Sequence, residues 1–132
     1  MAASRYDFAI DQGSTFRLSL VYKDSNKQVI NLTNWCARLI WKTNLNHTYI
    51  FLSTNNDDTQ YKFDIDGPNG KIDLIIPAHV TNGYSFQFAK YDLELQSPDP
   101  IVAGTGEYTT RILFGDIKII QRYTQSNLEM SC

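Results

Sequence analysis

Two carboxylates stand two residues apart in the run Asp64-Ile65-Asp66-Gly67-Pro68-Asn69-Gly70, and oxygen ligands so closely spaced are what a calcium loop uses. The run lacks the twelve-residue ladder and the terminal Glu of an EF-hand, so Asp64 and Asp66 make only a weak calcium candidate. The plainer reading is a hairpin turn in which Gly67 and Gly70 take positive φ and Pro68 fixes one corner. The chain has two histidines, His47 in the polar stretch Asn44-Leu45-Asn46-His47 and His79 between Pro77 and Gly83. An imidazole without convergent partners specifies no chemistry, and no recognised motif surrounds any serine or cysteine. The expectation is therefore a protein that is not an enzyme, with no catalytic residue and no cofactor. Cys36, within a strand pattern, and Cys132, at the last position, suggest neither a disulfide framework nor a metal cluster.

Aromatic side chains offer a different chemistry. Trp35, Trp41, Tyr49, Phe51, Tyr84, Phe86 and Phe88 could stack against sugars or pack between sheets, and core packing is the favoured reading. Phe86 and Phe88 stand apart, because Tyr84-Ser85-Phe86-Gln87-Phe88 alternates strongly beside a turn and so could offer aromatic surface to a partner. Basic residues are scattered along the chain and the net charge is -2, so no nucleic-acid footprint is expected. Arg38, inside a strand-like run, needs a carboxylate or carbonyl partner. No apolar run approaches the roughly 20 residues of a membrane helix, and no secretory stretch follows Met1, so synthesis in the cytosol and no membrane contact are expected. The sequons at Asn31 and Asn46 carry no weight in that setting.

Strands must position these groups. Phe16, Leu18, Leu20 and Tyr22 alternate with Arg17, Ser19 and Val21, and the same period recurs in Trp35 to Lys42, Ile72 to Ile76 and Tyr91 to Gln96, while Thr109 to Ile120 is rich in β-branched residues. Gly115 interrupts the last run and is read as a bulge or tight bend. Turns are expected at Lys23 to Lys27, Asn55 to Asp58, Asp66 to Gly70 and Ser97 to Pro100, and one helical turn between Pro77 and Gly83. Strands without helical partners bury their apolar faces against another sheet. The expected fold is all-β: a two-layer antiparallel sandwich, immunoglobulin-like or a flattened barrel, with about seven to eight strands. One domain is expected over residues 1–124, followed by a polar tail over 125–132.

Several stretches carry a family likeness: Tyr6-Asp7-Phe8-Ala9-Ile10-Asp11-Gln12-Gly13-Ser14-Thr15-Phe16, Tyr22-Lys23-Asp24, and Val29 through Arg38. Gly70-Lys71-Ile72, Tyr91-Asp92-Leu93-Glu94-Leu95 and the strand around Gly115 extend it over nearly the whole domain. The chain resembles small β-sandwich virion proteins of tailed bacteriophages and is similar to the N-terminal domain of phage baseplate upper proteins. Where that family often has glycine this chain has Asn34, a residue that also tolerates positive φ. Baseplate upper proteins continue into a receptor-binding or fibre-carrying region, so host recognition is not carried over to this single domain. The resemblance implies a virion structural protein of the tail or baseplate, an adaptor or ring component forming a homo-oligomer with other virion proteins. A capsid decoration protein of the same fold and a carbohydrate-binding adsorption module are the alternatives. Asp7 to Ile10 and Ile117 to Tyr123 are the candidate edge or contact strands. The interface candidates are Asp7, Phe8, Ile10, Phe86, Phe88, Ile117, Ile119 and Tyr123.

Overall fold

In the computed structural model, residues 3–54, 60–98 and 109–121 are described. The period-two runs form strands, in chain order β1 (Ser4–Arg5), β2 (Phe8–Asp11), β3 (Phe16–Val21), β4 (Cys36–Thr43), β5 (Thr48–Leu52), β6 (Lys62–Asp66) and β7 (Lys71–Ile76). The helical turn α1 (Ala78–Thr81) follows, then β8 (Phe88–Gln96) and β9 (Thr109–Ile120). Six strands make one sheet in the order β1-β9-β8-β4-β5, with β2 on the same flank of β9 as β1, and β3-β7-β6 make the second. The fold is an all-β sandwich of two separate sheets. The turns expected at Asn55 to Asp58 and at Asp99 and Pro100 lie outside the described residues.

Alternation decides what is buried. Ala37, Leu39 and Trp41 of β4 and Ala89, Tyr91, Leu93 and Leu95 of β8 point inward and meet Ile72, Leu74 and Ile76 of β7 and Phe63 of β6 in one core. The Phe8 ring of β2 stacks on Phe16 of β3, centroids 5.1 Å apart, and so ties the two sheets together. Trp41 anchors an aromatic cluster with Phe51, Tyr84 and Phe86 at 4.8, 5.6 and 6.4 Å between centroids. Core packing is thus the role of those aromatics, and the stretch from Tyr84 to Gln87 is loop, with strand geometry beginning only at Phe88.

The count of nine strands among the described residues exceeds the expected seven to eight partly because the N-terminal strand comes in two pieces. Both pieces pair with β9 in parallel and in one continuous register, Arg5 opposite Phe114 and Phe8 opposite Ile117. Tyr6 and Asp7 interrupt them opposite Gly115. A Cβ on Gly115 would lie 2.3 Å from the Tyr6 carbonyl oxygen and 2.7 Å from an Asp7 carboxylate oxygen. Gly115 is therefore a place of close backbone approach and not a bulge. The β8–β9 register shift lies elsewhere, where Leu93 opposes Leu113 and Glu94 opposes Arg111, leaving Ile112 without a partner.

Two other turn readings are settled by geometry. Gly70 has φ 59°, whereas Gly67 does not take positive φ; it is glycine because a Cβ would meet the Thr33 backbone at 2.6 Å. Asn34 has φ 67°, the left-handed conformation that a glycine would also supply.

Candidate functional site

The residues that alternate outward from the six-stranded sheet converge at one end of its open face. Asp7 and Ala9 precede or lie on β2, Asp116 and Lys118 on β9, Phe88 and Lys90 on β8, and Lys42 on β4 with Asn44 just beyond it. Together they line a groove of about 800 Å³. Register explains the convergence: Ala9 opposes Lys118, Lys118 opposes Phe88, Asp116 opposes Lys90, and Lys90 opposes Lys42. With strands spaced about 4.8 Å apart, the groove crosses four strands, roughly 14 Å.

Phe88 is 53% exposed although it lies on a strand with neighbours on both sides. Its backbone is held from β4: Asn44 Oδ1 accepts the N–H groups of Gln87 and Phe88, each at 3.3 Å, and the Asn44 N–H donates to the Phe88 carbonyl at 2.9 Å. Asn44 is itself fixed by the β4–β5 turn, where Thr43 Oγ1 accepts the N–H groups of Leu45 and His47 and Asn46 takes φ 61°. These bonds fix the backbone that carries the exposed ring.

Charge on this face is uneven. Lys42 and Lys90 stand directly opposite each other, a like-charge pair that an isolated sheet disfavours. Lys90 Nζ lies 3.7 Å from Asp116, which is also bound at 2.9 Å by Arg5 Nη2. Among the described residues Lys42 and Lys118 have no ion pair. Asp7 accepts the Asp116 N–H at 2.8 Å and lies 3.3 Å from Arg5. That backbone hydrogen bond, followed by Arg5, holds the Asp7 carboxyl below its ordinary value. Arg5, Lys42, Lys90 and Lys118 thus surround two carboxylates that are already engaged, on a chain whose net charge is -2.

Of the residues expected at an interface, Phe88 and Asp7 face outward here. Phe8 is only partly buried and lies against Phe16 and Tyr91. Ile10 and Ile117 are fully buried and Phe86 is 4% exposed, so these three belong to the core and offer no side-chain surface to a partner. Ile119 also packs against the core. The stretch from Ile117 to Ile120 is not an edge, because β9 runs between β2 and β8; the edges are β1 with β2, β5, β3 and β6. Tyr123 lies outside the described residues.

Asp64 and Asp66 are exposed on β6, Asp64 3.7 Å from Lys62 Nζ and Asp66 accepting the Asn69 side-chain amide at 2.9 Å. No group of three His, Cys, Asp or Glu side chains that could hold a metal ion occurs among the described residues. His47 lies 4.4 Å from the Tyr49 ring on the surface. Arg38 finds its carboxylate in Glu94 across the β4–β8 pair, at 2.9 Å. Sequence reasoning did not single out Lys42, Asn44, Lys90 and Lys118 as a group. Each occupies an outward strand position, and only the pairing of β9, β8 and β4 brings them together.

Fold and groove define an all-β sandwich module with an open, basic, aromatic-bearing sheet face. No family model matches the chain and no curated protein matches it.

Proposed function

We propose that this chain is a non-enzymatic structural part of a tailed bacteriophage particle, a tail or baseplate adaptor or ring component that works as a homo-oligomer through protein–protein contacts. The observation that carries the reading is the open face of the six-stranded sheet. It presents an exposed Phe88 on a hydrogen-bonded backbone and a cross-strand row of charges, on a scaffold whose other face is sealed by the core. Sheet edges add a second mode of contact: β5 closes one side of that sheet with Ile50 54% exposed, and an edge strand can extend a partner's sheet by main-chain hydrogen bonds. The setting in a phage rests on the resemblance carried by Tyr6 to Phe16, Val29 to Arg38 and Tyr91 to Leu95. Symmetric repetition of modest contacts would give a stable ring.

Particles carrying the protein with a tag after Cys132 provide the test, read by gold labelling in electron micrographs. Label at the tail end is the expected result. Label over the head turns the reading into capsid decoration, and the absence of particle-bound label removes the virion reading.

A further inference from the structure

The groove of about 800 Å³ on the open sheet face holds the exposed Phe88 ring and outward side chains from four strands, with three lysines against two carboxylates. Its acceptors already have donors within the chain. Asn44 Oδ1 is occupied by two backbone N–H groups, Asp7 by the Asp116 N–H and Arg5, and Asp116 by Arg5 and Lys90. The charges without an ion pair among the described residues are the ammonium groups of Lys42 and Lys118, and the Asn44 side-chain NH₂ is a further donor. A neutral sugar would leave those two ammonium groups without a counter-charge. Donors around an aromatic ring suit a ligand that brings anionic oxygens and apolar surface together.

We propose that the groove binds an acidic, apolar-anchored peptide segment of a partner protein, with one of its apolar side chains packed on Phe88 and its carboxylates against Lys42, Lys90 and Lys118. This rests on the reading of the chain as an assembly module and names the surface and partner chemistry of that module. A bound carboxylate between Lys42 and Lys90 removes the repulsion that the cross-strand lysine pair carries in the free protein. The roughly 14 Å run across four strands accommodates an extended stretch of about five residues at about 3.3 Å per step, and its alternate side chains supply two carboxylates flanking one apolar anchor on the face toward the groove.

The probe is the acetylated, amidated pentapeptide Glu-Ser-Phe-Ser-Glu, whose first, third and fifth side chains share one face when extended, titrated into the isotope-labelled full chain and followed by amide NMR shifts. The expected result is saturable shifts at Asn44, Phe88, Lys90 and Lys118. Binding should weaken at least tenfold when each Glu of the peptide is replaced by Gln, and at least tenfold again in 0.5 M salt, taken as roughly 4 Å of screening length. Lys42→Glu with Lys118→Glu should abolish the shifts, and Phe88→Ala should weaken them while leaving the charge dependence in place. All three sites are exposed, and unchanged resonances elsewhere will show that each variant remains folded. Absent groove shifts, equal binding of the Gln peptide, or shifts given by trigalacturonate but not by the peptide would each overturn the proposal. The titration needs no particle, so its failure removes the groove assignment alone, whereas failure of the labelling experiment removes the virion setting alone.

Discussion

Gly115 faces Tyr91 across the β8–β9 pair and lies against the crossing of Tyr6 and Asp7, where a side chain has no room. The Tyr91 hydroxyl donates to the Tyr6 carbonyl at 2.5 Å, the same oxygen that a Cβ on Gly115 would strike. An alanine must therefore displace the Tyr6 carbonyl, and with it the Tyr91 hydrogen bond, because backbone cannot swing aside as a long side chain does. Gly115→Ala is expected to lose about 2 kcal/mol, in the range that overpacking produces. Urea denaturation measures it, and amide exchange should show the loss concentrated at Arg5 and Tyr6. A variant within about 0.5 kcal/mol of the parent, the size of an ordinary surface substitution, would show that the crowding is not felt.

At the scale of elements, the N-terminal strand is held to β9 by a parallel ladder in which a side chain fills the gap at its interruption. Tyr6 N–H donates to the Phe114 carbonyl at 2.8 Å, and where the backbone ladder lapses the Asp7 carboxylate accepts the Asp116 N–H. Because that bond lowers the Asp7 pKa in the folded protein, its contribution is present above the ordinary carboxylate range and is lost as pH falls through the lowered value. As pH falls from about 5 to about 2, amides of β1 and β2 should therefore lose exchange protection before those of β4 and β8. Asp7→Ala should show the loosened strand already at pH 7 and no further selective change on acidification. Uniform loss across all strands in the parent would sink this account. The same element shows where the sequence was legible. Alternation identified β3, β4, β7 and β8 and their inward residues, because a half-buried strand writes its two faces into its own residues, whereas β9 was marked by its β-branched content alone and its inward Ile117 was expected at an interface. Parallel pairing of β1 and β2 with β9, more than a hundred residues away, leaves no such mark, and neither does the register that gathers Lys42, Lys90 and Lys118. Phe88 was recognisable as an exposed aromatic candidate, but Phe86, with the same alternation, lies in the core because its loop folds under Trp41.

Across the whole molecule, one core joins both sheets, so groups buried in it couple their ionisation to global unfolding. Tyr84 is 4% exposed, packs on Trp41 and Tyr49, and its hydroxyl has no hydrogen-bond partner among the described residues. Burial, and then the neighbouring Tyr49, push its pKa up. Burial also raises the pKa of Tyr91. A raised folded value means that the stability from keeping the neutral phenol is fully present below the unfolded value near 10 and is lost as pH rises above it. At pH 11 an unfolded tyrosine gains about 1.4 kcal/mol by ionising, and a phenol that stays neutral in the folded core forgoes that gain. The parent should thus lose stability from pH 9 to pH 11, and Tyr84→Phe should lose about 1.4 kcal/mol less over the same interval. At pH 7 the substitution removes a buried hydroxyl that makes no bond, so stability should hold or rise by up to about 1 kcal/mol. Urea midpoints at pH 7, 9 and 11 separate these effects. A loss above about 1 kcal/mol at pH 7, the usual contribution of a net hydrogen bond, would show that the Tyr84 hydroxyl has a partner in solution.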